Sequence, residues 1–173
     1  QGKGDASYLN WQAQRGTWSV NGEDADIKRL LLAPETLRTG WGRIMSGMPA
    51  DFVWADVAGT STSRPSEDHK QAFEIAVYVS QKHGAPVDGW VDWRTTQRGS
   101  RDGLSRIWQT VHEQAPDHPG EAVVIEFTGG EPIKIGPGQT IIPQFKVIGW
   151  TASPDGRVPS EGGTLASAAK TKA

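Results

Sequence analysis

The chain has 173 residues, no cysteine, and a formal charge of −2 from 18 basic and 20 acidic side chains. That length suits one domain with its own core, and the lack of cysteine excludes a disulfide framework or a thiolate metal site. No run is long enough to span a bilayer, and no global basic field argues for nucleic acid, so a binding role of that kind needs a local patch.

Residues 1–7 are set aside as an N-terminal extension, because the chain opens on Gln1 rather than Met. Tyr8 to Gln14 and Gly16 to Val20 then read as an opening hairpin that brings Trp11 near Trp18. Asn21-Gly22 marks a second turn, and Glu23, Asp24 and Asp26 after it lack calcium-loop spacing and read as a solvated turn. Ile27 to Ala33 is expected as a short strand that Pro34 ends. Gly40 and Gly42 flank Trp41, a brief extended segment follows around Phe52 and Trp54, and 59–67 reads as an exposed loop.

His69 to Ser80 has the clearest period of two. Phe73, Ile75, Val77 and Val79 share one face, expected in the core. Lys70, Ala72, Glu74, Ala76 and Tyr78 share the other. Two readings of this even face stand: the solvated side of an antiparallel sheet, or a platform for a flexible polymer. Residues 83–103 read as irregular. They hold Trp90 and Trp93 beside Arg94, Arg98 and Arg101, with Asp88, Asp92 and Asp102 diluting the charge. Leu104 to Ala115 is expected as the main helix, with Leu104, Ile107, Trp108 and Val111 on its apolar stripe. Trp108 is then core and His112 a rim residue. Strands follow at Glu121–Thr128, Ile133–Ile135 and Thr140–Trp150, with turns at Gly129-Gly130 and 136–138, and Pro143 argues for an edge or a bulge. From Ala152 the composition falls to small and polar residues, a tail expected to be flexible.

The sequence holds no phosphate loop, no HExxH and no nucleophile-elbow motif, and its four histidines are scattered. No catalytic residue, cofactor or metal is expected. The surplus is aromatic: eight tryptophans against four phenylalanines and two tyrosines. Tryptophans beside arginines suit single-stranded nucleic acid, because arginine meets phosphate and an indole stacks on any base.

The stretches YLNWQAQRGTW, TGWGRIMSGMPADFVW, RPSEDHKQAFEIAVYV and the closing VVIEFTGGEPIKIGPGQTIIPQFKVIGW resemble phage and prophage single-stranded DNA-binding proteins with an OB-like fold. The resemblance runs from about Tyr8 to Trp150. It implies a mainly β fold, an OB-like antiparallel barrel or bent sheet with one main helix, spanning 8–151 between the extension 1–7 and the tail 152–173. It further implies a non-catalytic protein that coats single strands during phage replication or recombination in the bacterial cytoplasm, with single-stranded DNA as partner, no membrane, and room for a homo-oligomer. Many such proteins end in an acidic tail, whereas this chain carries Lys170 and Lys172 and ends in alanine. The DNA-binding set expected is Arg94, Arg98 and Arg101, helped by Lys70 and Lys146, on phosphates. Trp90 or Trp93, with Tyr78, stacks on bases. The competing classes are a carbohydrate-binding β-module and a viral structural or assembly protein.

Overall fold

The computed structural model describes residues 7–45, 47–55 and 62–154. The extension up to residue 6 and the tail from 155 lie outside the described residues. The strands in chain order are β1 (Tyr8–Gln12), β2 (Thr17–Val20), β3 (Glu23–Ala25), β4 (Arg29–Arg43), β5 (Asp51–Trp54), β6 (Lys70–Val79), β7 (Gly89–Thr95), β8 (Glu121–Ile135) and β9 (Gly138–Ala152). Among the described residues a single α-helix, α1 (Arg98–Gln114), lies between β7 and β8. All nine strands join one sheet in the order β3-β2-β1-β7-β6-β4-β8-β9, with β5 added to the far half of β4. The protein is therefore mainly β, with one main helix on a curled, open sheet, the bent-sheet form of the expected class.

The curl follows from irregularities that lengthen one strand against its neighbour. β4 does not stop at Pro34. It slips register against β6 between Ala33 and Arg38 and then continues to Arg43. Proline has no N–H to give the ladder. The Thr36 hydroxyl fills in, donating to the Ala33 carbonyl at 2.7 Å and accepting from the Ala76 N–H at 2.8 Å. β8 likewise runs through Gly129-Gly130, where a turn was expected, with register shifts at Val124/Ile125 and Phe127/Gly129. The chain reverses at the other expected turn, 136–138, where Ile135 pairs with Gly138. β9 is an edge strand with an irregularity opposite Gln144, so both features that Pro143 argued for, an edge or a bulge, are present. The curl brings its first half back to the opening hairpin, where the Trp11 indole donates to the Ile141 carbonyl at 2.7 Å and the Ile141 N–H to the Ala13 carbonyl at 3.1 Å.

Inside the curl lies an aromatic core. Trp11 and Trp18 face each other across the opening hairpin with ring centroids 4.7 Å apart. Trp18 contacts Trp93 edge-on at 5.4 Å, and Trp93 contacts Phe73 at 5.0 Å and Phe145 at 5.9 Å. Phe73, Ile75, Val77 and Val79 all point into this core with Ile107, Val123 and Ile125, and Trp108 and Phe145 pack on its margin.

α1 starts six residues before the expected Leu104. Its opening turn holds Arg98 and Arg101, with Gln97 at the N-cap and no acidic side chain to complement the helix dipole. The helix lies against β9 through Gly99 and Gly103. A Cβ on Gly103 would come 2.5 Å from the Pro143 carbonyl oxygen, and one on Gly99 2.9 Å from that of Ile141. Among the described residues no helix is long and apolar enough to cross a membrane, and no group of side chains is placed to hold a metal ion.

Candidate nucleic-acid interface

Register fixes what shares the outer, even-numbered face of β6, because paired residues in a sheet point the same way. Lys70 is in line with Gly42 of β4 and, through it, Phe52 of β5. Ala72 is in line with Gly40 and Trp54. Glu74 lies between Arg38 of β4 and Arg94 of β7. Ala76 is flanked by Ala33 and Asp92, and Asp92 is beside Tyr8 of β1. Tyr78 ends the face between Leu31 and Trp90.

This face is not the bare solvated surface of the first reading. Ala72, Glu74 and Ala76 are all buried on it. Small residues along its middle leave room for large neighbours to lie flat over the backbone. Phe52 illustrates this: a Cβ on Gly42 would come 2.5 Å from its ring. Phe52 and Trp54, alternate residues of one short strand, stack with centroids 5.3 Å apart and planes within 5°. Both rings are partly exposed. At the other end Tyr78 and Trp90 meet edge-to-face at 5.5 Å, and the Trp90 indole donates to the Pro154 carbonyl at 3.4 Å.

Beneath the rings is an ionic triad. Arg38 donates from Nε at 2.7 Å and pairs through Nη2 at 2.7 Å with Glu74 Oε1. Arg94 engages Oε2 in the same way, at 2.7 and 2.6 Å. The Glu74 side chain is fully buried, and those of Arg38 and Arg94 are 11% and 22% exposed. The guanidiniums also support the aromatics, with Arg38 4.5 Å from the Trp54 centroid and Arg94 4.9 Å from Phe52 and 5.6 Å from Tyr8. The triad itself carries two cations against one carboxylate, and Asp92, in the next row of the same face, brings a second carboxylate.

The expected site residues thus divide. Tyr78, Trp90, Arg94 and Lys70 share the outer face, and Lys70 is exposed at its β5 end. Trp93 does not belong there: it pairs with Ile75 on the inner face, has no exposed surface, and cannot stack on a ligand. Arg94, Arg98 and Arg101 do not form one loop patch. Arg94 closes a strand, whereas the other two belong to α1, with Arg98 ion-paired to Asp102 at 3.4 Å and Arg101 donating from Nη1 to Gln71 on the inner face at 2.8 Å. Lys146 is exposed on the outer side of β9 opposite Glu126, at the other end of β4 from Lys70. Tyr8, Arg38, Phe52 and Trp54 are the residues that sequence reasoning missed. The alternation of Phe52 with Trp54 was a usable signal for the stacked pair.

Beside this face, His69 links Ser66 (Nδ1 to Oγ, 2.8 Å) to Asp51 (Nε2 to Oδ2, 2.8 Å). The Ser66 oxygen also accepts the Asp68 N–H at 3.1 Å, so it closes the turn that leads into β6. The clamp ties that turn to β5, and Arg64 within it lies 5.5 Å from the Trp41 ring.

Comparison of the chain with protein-family models, with curated proteins and with solved structures found no match.

Proposed function

We propose that the protein binds single-stranded DNA without sequence preference along the outer face of β5, β4, β6 and β7, and that it acts by binding rather than by catalysis. The observation that carries this is the stacked Phe52–Trp54 pair held over two arginines that share one buried carboxylate. Partly exposed rings on a rigid support accept any base, and Arg94 and Lys70 are cations within the same face for phosphates to meet. From the Lys70 row to the Tyr78–Trp90 pair is eight residues of β6, about 26 Å, room for several nucleotides. Coating of strands in phage or prophage replication or recombination, in the cytoplasm of the bacterial host, is the role this reading gives it.

A partly exposed aromatic pair also suits a sugar, and a carbohydrate-binding module is the second reading. Fluorescence anisotropy with a labelled oligothymidylate separates the two. Trp54→Ala should weaken binding by about 1–3 kcal/mol. Oligonucleotide binding that is unchanged in a Phe52→Ala/Trp54→Ala double variant would overturn the proposal, and tight binding of an oligosaccharide by the parent chain would favour the second reading.

A further inference from the structure

The inner side of the sheet carries a second feature that the outer face does not use. Along the first half of α1, the helix, β4 and β6 line an open cavity of about 480 Å³, within the usual range for small-molecule sites. Trp41, Phe73 and Trp108 line it with aromatic surface, and Gln71, Arg101 and Asp102 supply polar groups. The aromatic walls are fixed from behind. Trp41 donates its indole N–H to the Thr62 carbonyl at 2.8 Å, and Phe73 packs edge-on against Trp93.

Arg101 is the unusual member. Its Nη1 is spent on the neutral Gln71 amide, and its Nε is buried with no hydrogen-bond partner. Burial lowers its pKa and Arg98 lowers it further, with Asp102 opposing. Asp102 itself pairs with Arg98. A half-buried guanidinium whose Nε has no partner, and whose neighbouring carboxylate Asp102 is paired with Arg98, can still take an incoming oxyanion on its remaining N–H groups. The α1 N-terminus, which has no acidic residue in its first turn, adds to the same potential.

We propose that this cavity binds a nucleoside 5′-phosphate, with the base between the aromatic walls and the phosphate on Arg101. The shared chemistry is a flat heteroaromatic ring joined to an anion, and it comes either from a free nucleotide or from the 5′-phosphorylated end of a strand. The free-nucleotide form is independent of the outer-face reading, and the strand-end form rests on it.

Calorimetric titration of the intact chain with thymidine 5′-monophosphate and with thymidine tests the site. The monophosphate should bind at one site at least about tenfold more tightly than the nucleoside, the margin expected of a charge-assisted contact. Arg101→Gln should erase that margin, and Ser105→Trp, a change at an exposed position that fills the mouth, should abolish both titrations. Oligothymidylates with and without a 5′-phosphate then identify the source. An Arg101-dependent preference for the phosphorylated end assigns strand ends, and monophosphate binding without that preference assigns free nucleotides. Absence of both saturable monophosphate binding and the end preference overturns the proposal. So does a phosphate margin that survives in Arg101→Gln, or titrations unchanged in Ser105→Trp. Trp54→Ala reads the outer face separately, so failure of one site is distinguishable from failure of the other.

Discussion

Glu74 has no solvent exposure, and both its oxygens are taken by guanidiniums. Removing one partner from a buried ion network leaves the others desolvated and uncompensated. Glu74→Gln keeps the shape, removes the charge, and leaves two arginines facing each other. The expected loss is about 3–5 kcal/mol of folding stability, read from urea denaturation. A change below about 1 kcal/mol would mean that water, not Glu74, compensates the arginines. The period of two placed Glu74 on the face opposite Phe73, and that placement holds. Its burial was not legible, because Arg38 lay beyond the Pro34 that was expected to end the strand, and Arg94 lay in a segment read as irregular. Trp90 and Trp93 show the same limit. Once 89–95 is a strand, residues three apart must face opposite sides, so only one of them could lie on the outer face. That segment owes its pairing to β6 on one side and β1 on the other, partners distant in sequence.

Helix α1 shows how an element's intrinsic preference and its packing can oppose each other. Glycine in a helix interior costs about 1 kcal/mol relative to alanine, so Gly103→Ala would stabilise a free helix. Here the added methyl would come 2.5 Å from the Pro143 carbonyl oxygen, a backbone atom of β9 that cannot rotate aside. The sign should reverse. Gly103→Ala is expected to destabilise the protein by about 1–3 kcal/mol, the usual cost of overpacking. Thermal melts of this variant beside Gln109→Ala, an exposed position on the same helix, would check it. The apolar stripe Leu104, Ile107, Val111 was legible because it follows helical spacing, and all three are buried. The first six residues were not, because Arg98, Gly99 and Gly103 carry no helical signal. They are helical because close approach to β9 rewards small side chains there. The long β4 and β8 were missed for a related reason. Pro34 and Gly129-Gly130 are turn signals in isolation, and in the fold they mark irregularities within continuous strands.

At the scale of the whole molecule, a chain of net charge −2 binds a polyanion only if affinity comes from somewhere other than its total field. The outer face suggests how the terms divide. Arg38, Arg94 and Lys70 face Glu74 and Asp92 there, so the net charge is small, and the cations with surface to meet a phosphate are Arg94, 22% exposed, and Lys70. Lys146 stands opposite Glu126 at a distance and adds little. With about two phosphates neutralised, the dependence of log Kobs on log salt should have a slope near −1.4 on single strands, from about −0.7 per phosphate. Binding to oligothymidylate should therefore fall only about sevenfold between 0.05 and 0.2 M salt, since stacking carries most of the free energy. Lys70→Ala should bring the slope to about −0.7. Trp54→Ala should weaken binding at every salt concentration and leave the slope where it was. A duplex should bind poorly, because its bases are already stacked on one another and offer these rings no free face. Titrations of single and double strands at four salt concentrations would measure all of these quantities. A slope steeper than about −4 would show that phosphate contacts dominate, and would move the interface from the aromatic face to a basic surface elsewhere on the chain.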